Sequence, residues 1–335
     1  MACDDGVRAP SAIRRTPLHP FLLAGPTAVG KSAVALRLAG RLGGEIISVD
    51  SMQVYRGLDL GTAKPTPAER QRVPHHLIDV ADLSEAFDAA QFAALAHRAV
   101  REIQARGRIP ILCGGTGLYF RAFLEGLGGA PPGDAALRAE LEQTPLPDLL
   151  RELAERDPET FEKIDRQNPR RVVRALEVIR LTGKPFSAQR ARWTQPSSFV
   201  PRPSSFFCGL SRSADDLRTR IDARVEAMFG RGLVEETEGL VRHGLAKNRT
   251  AMQAIGYRQV IEHLRGEHSL ADTITLVKQR TRQFAKRQMA WFRRQLDLTW
   301  VEVRPDEDAE TMAERLIRIR ATGETDRAEA APQGG

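Results

Sequence analysis

The densest chemical signal in the chain is Gly25-Pro26-Thr27-Ala28-Val29-Gly30-Lys31-Ser32. Glycines at this spacing let a backbone curl until its N–H groups converge on phosphate oxygens, and a helix opening behind them adds partial positive charge. Lys31 brings a full charge for the terminal phosphate, and the Ser32 hydroxyl is placed to hold Mg²⁺. Thr27 offers a side-chain donor to the same anion or else points to solvent. By itself such a loop announces only a diphosphate or triphosphate, so its default reading is a small-molecule kinase or a nucleotide hydrolase.

Other side chains could add chemistry. Asp50 ends the apolar run of residues 45–49, which reads as a strand. Open parallel sheets place ligands at that edge, where a carboxylate can hold Mg²⁺ or accept a proton. Arg224 lies beside the apolar stripe Leu217, Ile221, Val225 and Met228 with no acid one turn away, whereas Arg220 has Asp216 four residues before it. An arginine so placed lies along the surface or finds its anion elsewhere. Thr116, after Gly114 and Gly115, is suited to cap a helix. His75 and His76 have only Asp79 nearby, too few for a zinc site, and Cys3, Cys113 and Cys208 are too widely spaced for a disulfide framework.

The elements that must carry these residues alternate. Residues 21–24, 45–49 and 109–113 read as buried strands, with helices over 32–42 and 88–106, which predicts a parallel sheet covered on both faces. From 134 to 182 every periodic segment is helical (134–142, 147–156, 169–182). This stretch lies between a glycine-proline run at 128–133 and residues 195–205, which hold three prolines and four serines. Residues 205–209 return a strand, and helices follow over 215–229, 251–264 and 272–296. The expected organisation is an α/β P-loop core at 18–127 and 200–305 with basic C-terminal helices, and a helical insertion domain at 128–199. The termini, 1–17 and 322–335, read as disordered.

Over 335 residues, Lys plus Arg outnumber Asp plus Glu by 50 to 43, a net charge of +7 that suits a polyanionic partner. Between residues 273 and 296 stand Lys278, Arg280, Arg282, Lys286, Arg287, Arg293 and Arg294 without one acid, a nucleic-acid surface or a solvated helix face. No apolar run is long enough to span a bilayer, and the first residues lack the build of a secretory signal, so the chain is expected in the cytoplasm and off the membrane.

Ile47-Ser-Val-Asp-Ser51, Gly61-Thr-Ala-Lys-Pro65, Pro74-His-His-Leu-Ile-Asp79, Gly114-Gly-Thr-Gly-Leu-Tyr119, Arg171 to Glu177, Ile255-Gly-Tyr-Arg258 and Lys286 to Arg293 follow the phosphate loop in order. Together with it they resemble the bacterial transfer RNA dimethylallyltransferases over residues 19–300. The resemblance implies a P-loop-like α/β core with a helical insertion, Mg²⁺ as cofactor and dimethylallyl diphosphate as donor. It also implies the acceptor: the adenine immediately 3′ of the anticodon in tRNAs reading codons that begin with U. The partner would be the tRNA anticodon arm, met by a monomer. Asp50 becomes the general base, with Thr27 and Arg224 at the departing diphosphate. Asp50, Ser51, Met52, Gln53, Thr116, Arg138, Arg170, Arg171 and Arg174 match stretches that touch RNA in the family. So do Gln253, Gly256, Tyr257, Arg258, Lys286, Arg287, Gln288, Trp291 and Arg293. Tyr257 and Trp291 could stack on bases or belong to the core. The competing functions are a small-molecule kinase and an enzyme that prenylates adenine nucleotides, for which the basic helix has no use.

Overall fold

The computed structural model describes residues 19–189 and 206–323. The chain alternates β1 (Phe21–Ala24), α1 (Lys31–Leu42), β2 (Gly44–Val49), α2 (Pro67–Arg72), β3 (His75–His76), α3 (Ala89–Ala105), β4 (Ile109–Gly114) and α4 (Gly117–Glu125). Five helices follow: α5 (Ala135–Gln143), α6 (Leu146–Arg156), α7 (Pro158–Lys163), α8 (Pro169–Thr182) and α9 (Phe186–Gln189). The chain then forms β5 (Phe206–Ser211), α10 (Ala214–Gly230), α11 (Leu233–Arg242), α12 (Tyr257–Leu264), α13 (Leu270–Gln295), β6 (Thr299–Glu302) and α14 (Ala309–Thr322).

The six strands run in the order β3-β2-β4-β1-β5-β6, and every pairing is parallel. Burial on both faces explains why β1 reads as an unbroken apolar run; β2, equally buried, accommodates Glu45 and Ser48 because Arg106, His76 and Gln53 bond them. On one face Phe120, Phe123 and Phe292, all fully buried, pack with Phe92 and Tyr257; on the other, Leu38 of α1 meets Met312 and Leu316 of α14. Each large apolar side chain so buried stabilises the fold by about 1.5–3 kcal/mol. The register sets Ala24 beside both Gly114 and Gly209, and Val49 beside Gly114. Gly25, Asp50 and Gly115 therefore leave the sheet side by side at its carboxyl edge, the edge that open α/β sheets use for ligands.

Helices α5 to α9 surround a core of their own, built on Leu141, Leu149, Leu153, Val172, Leu176 and Ile179. The fully buried Glu177 lies among them. Its carboxylate accepts from Arg138 Nη2 (2.7 Å), Arg174 Nη1 (2.6 Å) and the Asp134 N–H (2.9 Å). Burial alone would raise its pKa, and the two guanidinium groups overcome that and hold it below the usual carboxylate value. Arg249, outside this group, pairs with Glu142 of α5, and its carbonyl accepts from Arg170 Nη2 at 3.5 Å.

Three expectations need correcting. A single helix over 251–264 is instead a 3₁₀ turn (Ala251–Gln253) and α12, because Gly256 at φ 103° breaks the helical run. The core does not stop at 305: α14 packs on α1, with Arg41 bonded to Glu310 and Glu314. A tail beginning at 322 starts too early, since α14 reaches Thr322. The expected disorder at 1–17 and the linker at 195–205 lie outside the described residues. Among those described, no helix is long and apolar enough to cross a membrane.

Candidate active site

Gly25 opens the phosphate loop at φ 149°, where an added Cβ would come within 2.7 Å of the Leu210 carbonyl oxygen. Ala28 is held at φ 63°, a conformation that side-chain-bearing residues seldom adopt. Neighbouring cations hold this backbone in place. Lys31 Nζ donates to the Pro26 carbonyl (2.5 Å), Arg220 Nε to that of Ala28 (3.0 Å) and Arg212 Nε to that of Val29 (2.9 Å). The Lys31 and Ser32 N–H groups, in the first turn of α1, have no acceptor within the helix and no side-chain cap among the described residues, which suits them to an anion.

Ala28, Gly30, Lys31, Ser32, Arg220 and Arg224 line a cavity of about 390 Å³. Burial pulls the Lys31 amine down to about 8; Cys113 and Asp50 oppose the shift, and the cation of Arg224 adds to it. Arg224 is likewise lowered by burial, with Asp50 acting against the shift. Two poorly solvated cations therefore share the cavity in the field of one carboxylate. That arrangement favours a multiply charged anion.

Asp50 Oδ1 accepts from the N–H groups of Met52 (2.8 Å) and Gln53 (3.3 Å), which fixes the carboxylate at the strand end. Oδ2 takes no bond from the described residues. Thr116 occupies the N-cap position of α4 without capping it; its Oγ1 accepts from the Ser51 N–H at 3.1 Å and lies 3.5 Å from Ser51 Oγ. Gln53 is drawn inward, with Oε1 accepting from Ser48 Oγ and Nε2 donating to the Thr62 carbonyl.

The expected site residues divide into groups. The phosphate loop, Asp50 to Gln53, Thr116 and Arg224 gather at the carboxyl edge of the sheet, where α13 brings Gln288 and Trp291 against the glycine loop. Arg170, Gln253, Arg258 and Arg287 line a second cleft of about 450 Å³ together with Arg249 and Arg280. Lys286, Arg293 and Arg171 are exposed, Arg293 lying 5.7 Å from the centre of the Trp300 ring. Gly256 serves the backbone, its N–H donating to Gln259 Oε1.

Tyr257 is no stacking platform. It is fully buried, donating its hydroxyl to Glu236 Oε1 (2.6 Å) and accepting from the Gly61 N–H (3.1 Å). Arg138 and Arg174 are engaged by Glu177. Asp216 bonds to Arg212 at 2.6 Å, which frees Arg220 for the loop. The braces Arg212 and Arg220 escaped the sequence reading, although Arg212 directly follows β5 at the edge where the phosphate loop begins.

The IPP transferase family model matches residues 53–295. A tRNA dimethylallyltransferase of Geobacter metallireducens is 47% identical over 288 residues, covering 84% of this chain and 91% of that relative. Another, from Corynebacterium efficiens, is 45% identical over 304 residues, covering 89% and 98%. The full-length tRNA isopentenylpyrophosphate transferase of Bacillus halodurans matches with a TM-score of 0.63 at 38% identity, covering 91% of this chain and 95% of that one. A eukaryotic dimethylallyltransferase acting on tRNA matches with a TM-score of 0.74 at 28% identity, covering 94% and 82%. With a phosphate loop, a carboxylate and two partly buried cations near one sheet edge, and with relatives this similar over nearly its whole length, the chain belongs to the IPP transferase family.

Proposed function

We propose that this enzyme transfers the dimethylallyl group of dimethylallyl diphosphate to the exocyclic amine of the adenine immediately 3′ of the anticodon, in tRNAs reading codons that begin with U. One observation carries the reading: Lys31 and Arg224 line one cavity with the phosphate loop, and the Asp50 carboxylate at the adjoining strand end lies close enough to act on both charges. The diphosphate binds the free N–H groups of the loop, with Lys31 and Arg224 as counter-charges and the Thr27 hydroxyl within the same loop. The amine nitrogen bonds the allylic carbon, the carbon–oxygen bond breaks, and the electron pair leaves with the diphosphate. Cations aimed at that oxygen stabilise the developing charge. Asp50 takes the proton of the amine, whose lone pair is otherwise delocalised into the ring. Ser32, at the cavity with its hydroxyl unclaimed by the described residues, suits Mg²⁺, which would neutralise diphosphate charge when bound.

The basic cleft lined by Arg170, Arg258, Arg280 and Arg287 and the exposed Lys286 and Arg293 suit the phosphates of the anticodon arm, which give affinity with little sequence choice. We assign residues 128–199 as the insertion domain on the strength of its separate apolar core, and we place the reaction in the cytoplasm. Labelled dimethylallyl diphosphate offered with unmodified tRNA or with AMP tests the reading. Label retained in RNA is expected, and label in AMP alone would replace the acceptor.

A further inference from the structure

The family resemblance sets Gln288 among the RNA contacts, yet its side chain is turned inward and is only 8% exposed. Oε1 accepts from the Thr27 N–H of the phosphate loop at 2.8 Å, and Nε2 donates to the Gly115 carbonyl of the glycine loop at 2.9 Å. The parallel ladder that joins β1 to β4 ends at Ala24 and Gly114, so beyond that point the two loops part. Among the described residues they share no direct hydrogen bond, and the Gln288 amide spans the gap. A Cβ at position 115 would lie 2.4 Å from Nε2, so the glycine there admits this contact.

We propose that Gln288 is a positioning residue: an amide clamp that sets the phosphate loop, which holds the leaving group, against the glycine loop and Thr116, whose hydroxyl steadies the segment beginning at Asp50. The inference rests on the function proposed above for what the two loops hold. The chemistry at the two contacts selects the residue type, since Thr27 presents a donor, Gly115 an acceptor, and a primary amide answers both from one side chain. The neighbouring Lys286 and Arg287 are exposed on α13. The helix thus offers cations outward while the residue next to them braces the reaction centre, and a small displacement of reacting groups is costly to rate.

The test compares Gln288→Met, similar in shape but without the two strong hydrogen bonds, with Gln288→Glu, which keeps the acceptor for Thr27 and removes the donor for Gly115. Three quantities are measured: the Kd of inorganic diphosphate for RNA-free enzyme by calorimetry, the Kd of tRNA, and kcat with KM for the donor. For Gln288→Met the diphosphate Kd should rise roughly 3–10-fold, the worth of one hydrogen bond. Its kcat should fall by about 10–100-fold while the tRNA Kd stays within about twofold. Gln288→Glu should recover diphosphate affinity and not kcat. Weakened tRNA binding with unaltered donor kinetics would make Gln288 an RNA contact and overturn the clamp. A lowered Tm with wild-type kcat and KM would overturn it as well, leaving a packing role. If wild-type enzyme transfers no label to RNA, the function reading fails separately, and an unchanged diphosphate Kd in Gln288→Met still refutes the clamp.

Discussion

Lys31 should change its proton affinity when diphosphate arrives. In the empty cavity burial holds its amine at about 8 against an ordinary 10.5, with Arg224 adding to the effect. A bound diphosphate supplies the missing counter-charge and raises the amine back toward its ordinary 10.5. The sign follows from which form each state prefers. The empty fold disfavours the ammonium, so lysine's contribution to stability improves as pH rises through 8. The complex requires the ammonium, so its contribution to affinity is complete below pH 8 and declines above it. The gap between the two states caps that decline at about 300-fold, or about 3.4 kcal/mol, and about 16-fold of it should fall between pH 8 and roughly 9.5. ¹³C NMR of the Lys31 side chain reads the titration directly, apart from protonation of the ligand. A midpoint near 10.5 in the empty protein, or one that diphosphate does not move, would refute the picture of two desolvated cations awaiting an anion.

Asp50→Ala should lower kcat by about 10²–10⁴ with little change in the Kd of tRNA, because a general base acts in the transition state; single-turnover and binding assays separate the two. Replacing Lys286, Arg287 and Arg293 together by alanine should weaken tRNA binding, and each RNA phosphate left without its cation should reduce the slope of log affinity against log salt by about 0.7–0.9. Glu177→Leu leaves the half-exposed Arg138 and Arg174 without their shared anion and the Asp134 N–H without its acceptor, and should destabilise the α5–α8 region by about 1–3 kcal/mol, read as faster amide hydrogen exchange there with diphosphate binding retained. At wild-type Glu177, whose pKa is held low, the same contribution should be present above the ordinary carboxylate range and fade as pH falls below it.

Local signals carried the reading furthest where function depends on backbone shape. The phosphate loop, the strand ends at Asp50 and Gly114 and the separate helical region were legible because glycine spacing and apolar periodicity are properties of neighbouring residues. Arg224 was legible through an absence, the lack of any acid one turn away. The partners of Arg138, Gln288 and Arg220 were not. Each depends on how a helix is rotated against an element far away in sequence, and α13, basic along most of its length, does not disclose which turn faces the phosphate loop. Tyr257 sits in a motif that reads as RNA contact, yet its hydroxyl is needed by Glu236 and Gly61, a pairing across 196 residues that periodicity cannot register. β6 escaped notice because Thr299 and Glu302 at its ends leave only Trp300 and Val301, too short an apolar run to read, whereas the equally short β1 is apolar throughout.

The braces on the phosphate loop also bear on how the molecule is made. β1 leaves the ribosome before every other strand of the sheet, yet it is a central strand whose neighbours are β4 and β5. The side chains that hold the loop arrive later still, at Arg212, Arg220 and Gln288. At about 5–20 residues per second, the last of them emerges roughly 13–53 s after Gly25. Contacts this distant in sequence slow folding, because long loops must close before any pairing repays the cost. Until β4 and β5 emerge the nascent chain carries an apolar strand with two open edges, and until the braces follow, a glycine-rich turn that is only partly held. The phosphate site is completed only when Gln288 is made, 261 residues after the Thr27 that it holds.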